Sequence, residues 1–220
     1  MQKIIGIVGF IGSGKDTVGD LLLETHSGFK ESFATPLKDM TAAVFGWPRD
    51  LIEGDTIESR DFRETPDMFW TRKTGIDNFT PRLALQLLGT EVMRDHFNEN
   101  IWLDSLEYRL RKNAAPNEMV IVTDCRFVNE MQLIQRLGGR VIRVTRGDDP
   151  IWYETAVAAN NGNAISQKIM QTRYRDVHPS EWKWAGYDFD IVIDNNGTLD
   201  ELRTKISAIT SFKGEALRVL

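Results

Sequence analysis

A lysine placed behind two glycines at a fixed interval is the first chemistry this chain offers. Gly9-Phe10-Ile11-Gly12-Ser13-Gly14-Lys15 matches the pattern Gly-x-x-x-x-Gly-Lys. Glycines let a backbone curl until its N–H groups point inward, where they bond anionic oxygens. A helix starting directly behind them adds the positive end of its dipole. With the Lys15 ammonium, these groups make a seat for the phosphates of a nucleoside triphosphate. One position departs from the pattern. Asp16 stands where Ser or Thr normally follows the lysine, and Thr17 comes one place later. As a hard oxygen ligand Asp16 can serve Mg2+ directly or through a bound water; otherwise it caps the helix start. Triphosphate contact is therefore expected at Gly12, Ser13, Gly14, Lys15, Asp16 and Thr17, with Asp16 and Thr17 also placed to serve the metal.

A second group lies at Asp124, behind the apolar run Met119-Val120-Ile121-Val122-Thr123. In an open parallel sheet, ligands sit beyond the C-terminal ends of strands. Asp124 there can order magnesium water or accept a proton, and Arg126 can fork onto phosphate oxygens. A helix cap and a surface charge are the alternatives for these two. Glu130 opens the next helix, where the dipole alone favours a carboxylate, so capping and function compete evenly for it. Lys38, Arg63, Arg82 and Arg94 can reach anionic groups, although each alone is more often a solvated charge. Gly89, in Leu85-Gln86-Leu87-Leu88-Gly89-Thr90, costs a helix about 1 kcal/mol relative to alanine. Close approach of a base or of another backbone justifies such a glycine, as does a simple helix break. Trp102, Trp70 and Phe69 can stack on a base or fill a core.

The elements that must hold these residues alternate. Strands are expected at Ile4–Val8, Phe29–Phe33, Met119–Thr123, Arg140–Thr145 and Phe189–Ile193. Helices are expected at Thr17–Glu24, behind Pro36, at Arg82–Phe97, Ile101–Arg111, Val128–Leu137 and Leu199–Ile209. Short apolar strands alternating with helices predict an α/β fold, a five-stranded parallel sheet covered on both faces. Two stretches of poor periodicity, 46–81 and 147–188, read as excursions from a single domain spanning 1–220. His178-Pro179-Ser180-Glu181, within the second, reads as a turn into a helix. Arg173 and Arg175 there are either lid arginines or charges of a solvated loop.

The formal charge of −5 argues against a protein that coats nucleic acid. Cys125 is the only cysteine, which excludes an internal disulfide and suits a reducing compartment. No apolar run approaches the ~18 residues of a membrane span. A cytoplasmic protein, with no membrane and no nucleic-acid polymer as partner, is expected.

Taken in order, the motifs resemble the bacteriophage deoxynucleoside monophosphate kinases. The similar segments are Gly14-Lys15-Asp16-Thr17, Pro36-Leu37-Lys38-Asp39, Arg63-Glu64-Thr65, Leu85–Thr90 and Ile101-Trp102. Asp124-x-Arg126 with Asn129-Glu130, Gly138–Arg146, His178–Glu181 and Asn195-x-Gly197-Thr198-Leu199 continue the series. The resemblance implies a P-loop kinase fold, a three-layer sandwich with a monophosphate-binding region at 46–81 and a lid at 147–188. It implies transfer of the ATP γ-phosphoryl to a deoxynucleoside monophosphate with Mg2+, and it is compatible with a homodimer. On this reading Gly14, Asp16 and Thr17 touch ATP. Lys38, Arg63, Arg82, Gly89, Thr90 and Trp102 form the monophosphate site, with Asp124, Arg126 and Glu130 nearby. Ile11 and Gly12 stand where the compared family member has basic residues, and 151–176 looks like an insertion. A P-loop kinase for another small phosphorylated acceptor, and an ATPase switch without an acceptor, are the rival readings.

Overall fold

The computed structural model describes residues 3–113 and 118–211. Its contacts gather into two compact units, one of residues 1–32 with 109–220 and one of residues 33–108.

The first unit holds a five-stranded sheet, ordered β2-β3-β1-β4-β5. Its strands are β1 (Lys3–Val8), β2 (Gly28–Glu31), β3 (Met119–Val122), β4 (Arg140–Thr145) and β5 (Ile191–Asp194), and all four pairings are parallel. β1 and β3 are buried almost throughout, so their apolar runs are continuous rather than alternating. On one face, α1 (Lys15–Glu24) and α12 (Leu199–Ser211) bring Val18, Leu21, Leu22, Leu202 and Ile206 onto Ile5, Ile7, Ile121, Ile142 and Ile193. On the other lies α8 (Val128–Arg136). A Cβ at Gly6 would meet Ile134 and the Cys125 sulfur at 3.1 and 3.0 Å, which shows how closely this layer packs. The order places β1 between β3 and β4, so the loop after β1 opens at the point where the chain direction across the sheet reverses.

Two of the strand starts that differ from expectation have a visible cause. β2 starts one residue earlier because Gly28 pairs with Met119, whose carbonyl would lie 2.0 Å from any Cβ there. β5 starts at Ile191 because the Asp190 side chain accepts from the Val141 N–H at 2.7 Å and from Gln135 at 3.0 Å.

The second unit contains α2 (Thr35–Phe45), α3 (Arg49–Glu53), α4 (Ile57–Glu64), α5 (Met68–Thr74), α6 (Pro81–Gln86) and a π-helical stretch, Leu87–Phe97. The next helix, α7 (Ile101–Asn113), begins in this unit and ends in the first. The stretch 46–81 is thus helical and built around a core. Trp47, Ile52, Phe79, Ala84 and Leu85 are buried, and Phe45 stacks on Trp47 at 4.5 Å between ring centres. Its helices are only five to eight residues long, too short to show a helical period. The helix expected over Arg82–Phe97 changes pitch after Gln86. There the Gly89 carbonyl accepts the Trp102 indole N–H at 2.8 Å, and a Cβ on Gly89 would lie 2.7 Å from Leu37. Packing on a neighbouring helix is the reason for this glycine.

Segment 147–188 in the first unit also carries helices: α9 (Tyr153–Asn160), α10 (Ala164–Thr172) and α11 (Pro179–Trp182). Tyr153, Ala156, Met170, Trp182 and Trp184 are buried. No helix among the described residues is long and apolar enough to cross a membrane.

Candidate active site

The loop after β1 is shaped by three glycines with positive φ, at 156° for Gly9, 81° for Gly12 and 93° for Gly14. Gly14 is the N-cap of α1, and no side chain caps that helix. Asp16 sits exposed in the first turn, where the helix dipole favours a carboxylate, with Thr17 exposed beside it. The first four N–H groups of α1 need partners, and a phosphate at the loop would satisfy them.

The loop is braced from three directions. Lys15 Nζ donates to the Phe10 carbonyl at 2.9 Å, and the Ser13 N–H donates to the same oxygen at 3.2 Å. Asn195, from the turn between β5 and α12, donates from Nδ2 to the Ser13 carbonyl at 2.8 Å. Phe10 inserts into an aromatic socket, with ring centres 4.8 Å from Trp184, 5.5 Å from Trp152 and 6.0 Å from Tyr153. Arg143 of β4 lies over Tyr153 and Trp184, and bonds the Tyr153 hydroxyl at 2.8 Å and Asp149 at 2.6 Å. Sequence reasoning passed over Asn195 and the socket as site-building residues. A bulky aromatic inside a glycine loop was the available signal, because its ring needs somewhere to go.

Asn195→Ala removes one hydrogen bond worth about 1 kcal/mol. It is expected to raise KM for the triphosphate about fivefold with little change in kcat. Asn195→Asp should be worse, since a carboxylate would then face the Ser13 carbonyl and the bound phosphates. Steady-state kinetics across triphosphate concentrations test both.

β3 delivers the second wall. Asp124 accepts from the Ser32 hydroxyl at 2.6 Å. Glu130 is 2% exposed, and its Oε2 accepts the main-chain N–H groups of Arg126 at 2.8 Å and Phe127 at 3.1 Å. Glu130 therefore closes the start of α8 and anchors the Arg126 backbone, so the substrate contact expected of it gives way to the capping alternative. The Arg126 guanidinium reaches Glu181 of α11 at 2.7 Å and the Ser180 hydroxyl at 3.4 Å. Cys125 is buried, and burial pushes its thiol well above the ordinary value, with Glu130 and Asp124 adding to the effect.

Gly9, Lys15, Asp124, Arg126, Ser180 and Glu181 line one pocket. Burial lowers the pKa of Lys15, and the nearby Arg126 charge lowers it further, against smaller opposing effects of Asp16 and Glu181. Two cations held at mutual cost beside a glycine loop form a site for a polyanion.

The residues expected to hold the acceptor belong to the second unit. Lys38 pairs with Glu53, which also binds Arg49 at 2.6 Å, and the Glu53 carbonyl accepts from Arg63 at 3.3 Å. Burial alone would raise the pKa of Glu53, but the hydrogen bonds from Lys38 and Arg49 outweigh it and hold the group below its ordinary value. Arg82 pairs with Glu64, and Thr90 is exposed. Trp102 is buried, with its ring N–H engaged by Gly89, so it supports that segment and offers no ring face to a base. Arg173 lies over the Tyr174 ring at 5.4 Å, and Arg175 pairs with Asp176 at 3.7 Å.

A five-stranded parallel sheet carries its glycine loop at the reversal of strand order, with Lys15 and Arg126 on one pocket beside it, the α/β arrangement of a phosphate-binding loop. The deoxynucleotide monophosphate kinase family model matches residues 49–206. A putative deoxynucleotide monophosphate kinase of Acanthamoeba polyphaga mimivirus is 30% identical over 213 residues, covering 92% of this chain and 93% of the relative. The deoxynucleotide monophosphate kinase of Enterobacteria phage T4 is 24% identical, covering 93% and 97%. That of Escherichia phage T5, a deoxynucleoside-5'-monophosphate kinase, is 25% identical, covering 61% and 72%. The chain belongs to the deoxynucleotide monophosphate kinase family. It is a phosphotransferase that acts on deoxynucleotide monophosphates.

Proposed function

We propose that the enzyme transfers the γ-phosphoryl group of ATP to the 5′-phosphate of a deoxynucleoside monophosphate, giving the diphosphate and ADP. A phosphate oxygen of the acceptor bonds to the γ-phosphorus as the bond to the β,γ-bridging oxygen breaks, and ADP leaves. The observation that carries this reading is the meeting of Lys15 and Arg126 on one pocket beside the loop. Such transfer needs positioning and charge stabilisation rather than a covalent enzyme intermediate. The N–H groups of Gly12 and Gly14 hold the β-phosphate while the Ser13 N–H keeps the loop closed on the Phe10 carbonyl, Lys15 holds β- and γ-oxygens, and Arg126 stabilises charge on the moving group. Lys38, Arg63 and Arg82, with the Gly89–Thr90 segment, hold the acceptor. Lys38 and Arg82 already pair with carboxylates of their own unit, and Arg63 bonds the Glu53 main-chain carbonyl.

The oxygen donors fit magnesium. Asp16 and Thr17 are exposed at the loop and Asp124 lines the pocket. No group of three or more acidic, histidine or cysteine side chains suited to a metal occurs among the described residues. Mg2+ takes one or two carboxylates and completes its shell with water and substrate phosphates. When bound, Mg2+ neutralises charge on the β- and γ-phosphates; Asp16, Thr17 and Asp124 would hold it or its waters. Asp16→Ala is expected to move half-maximal activity to roughly tenfold higher magnesium. An unchanged magnesium titration would remove Asp16 from the metal site.

The function is tested by incubating the enzyme with ATP and each deoxynucleoside monophosphate in turn. Diphosphate should form with at least one of them. Slow ATP hydrolysis, indifferent to the whole panel, would overturn the proposal.

A further inference from the structure

We infer that Glu181 positions the Arg126 guanidinium for the transferred phosphoryl group. The inference rests on the role proposed for Arg126 above. Arg126 is gripped at both ends: its main-chain N–H by the buried Glu130 at 2.8 Å, its Nη1 by Glu181 at 2.7 Å. Between these grips runs a long, flexible side chain, 46% exposed. Left loose, such a side chain loses up to about 2 kcal/mol of rotamer freedom when it is ordered on a ligand. A partner that orders it beforehand removes that cost from the reaction.

Glu181 is itself built in place. It lies in the first turn of α11, whose N-cap, His178, accepts the Ser180 N–H on Nδ1 at 3.2 Å, with Pro179 at the first helical position. Trp182 and Trp184 are buried on either side of Lys183, and Asn160 Nδ2 donates to the carbonyls of Trp182 at 3.0 Å and Ala185 at 2.9 Å. The carboxylate therefore cannot drift with a loose loop. Stability does not account for the pair. Its two members are 46% and 24% exposed, and pairs so placed contribute little to stability. Geometry does account for it. Glu181 and Ser180 engage Nη1, and the donors on Nε and Nη2 remain for the forked contact that a phosphoryl group accepts. Glu181 is a positioning residue, with no contact to substrate required.

The test is a double-mutant cycle on the full chain, with kcat, KM for ATP and thermal melting measured for each variant. Glu181→Ala should lower kcat by about tenfold to a hundredfold, with KM for ATP changed by less than about threefold. Glu181→Gln, which keeps the acceptor oxygen, should restore most of kcat. In an Arg126→Ala background, Glu181→Ala should have no further effect, because the only group it positions is gone. A kcat at or above wild type in Glu181→Ala overturns the inference, as does an equal loss in both backgrounds. A near-normal kcat in Arg126→Ala alone overturns the role of Arg126, and with it this inference. A dead Arg126→Ala beside an unaffected Glu181→Ala overturns the inference alone.

Discussion

Arg126→Ala is expected to lower kcat by about a thousandfold, the scale seen where one arginine stabilises a transferring phosphoryl group. KM for ATP should change much less, because the loop and Lys15 remain to hold the triphosphate. The loss should not come from unfolding. The ion pair removed is half exposed and worth at most about 1 kcal/mol, so the melting temperature should fall by no more than about 2–4 °C. Glu130 would still cap α8, since it bonds the main chain of residue 126 rather than its side chain. Arg126→Lys separates charge from geometry. It keeps the cation but not the planar fork, and should recover only part of the lost rate. Steady-state kinetics with a melting curve for each variant decide the matter. A kcat within a few-fold of wild type in Arg126→Ala would remove the arginine from the chemistry and leave Lys15 as the cation of the pocket.

What the chain disclosed in advance follows from which interactions are local. β1 and β3 were legible because strands covered on both faces are continuous apolar runs. The phosphate loop was legible because a backbone seat requires glycine at stated intervals. Asp124 and Arg126 were legible from their place just past a buried strand. The rest depends on contacts between residues far apart. Trp152, Tyr153 and Trp184 show no period, yet they converge on Phe10, so 147–188 looks like a polar excursion until the ring socket is seen. Asn195 reaches Ser13 across 182 residues, and Glu181 reaches Arg126 across 55. Helices α3 to α5 each span fewer than nine residues, and a core shared among them leaves no stripe on any one. Glu130 shows a different limit. Both of its readings used the same position at a helix start, and only the direction of the buried carboxylate separated them.

Gly9→Ala should be the most damaging small substitution in the loop. A Cβ at Gly9 would lie 2.4 Å from the Val144 carbonyl oxygen and 2.8 Å from the Ser13 hydroxyl. Val144 belongs to β4, which pairs with β1 through Val8↔Arg143 and with β5 through Val144↔Ile193, so its carbonyl cannot step aside without disturbing the sheet. Ser13, within the loop, is 3% exposed, with its carbonyl tied to Asn195. The strain must instead displace the loop, and with it the first N–H groups of α1 and Lys15. A cost near 3 kcal/mol is expected from such overpacking, together with a loss of ATP affinity of about a hundredfold or more. Gly12→Ala is the control. Its φ of 81° disfavours a side chain by about 1–2 kcal/mol, but no atom lies within 4 Å of the added carbon. It should melt only slightly below wild type and keep most of its ATP affinity. Melting curves and ATP titrations of the two variants compare a methyl group that has no space with one that has only an unfavourable torsion. Equal damage from both would mean that backbone torsion, rather than the close approach of Gly9 to β4, sets the shape of the phosphate loop.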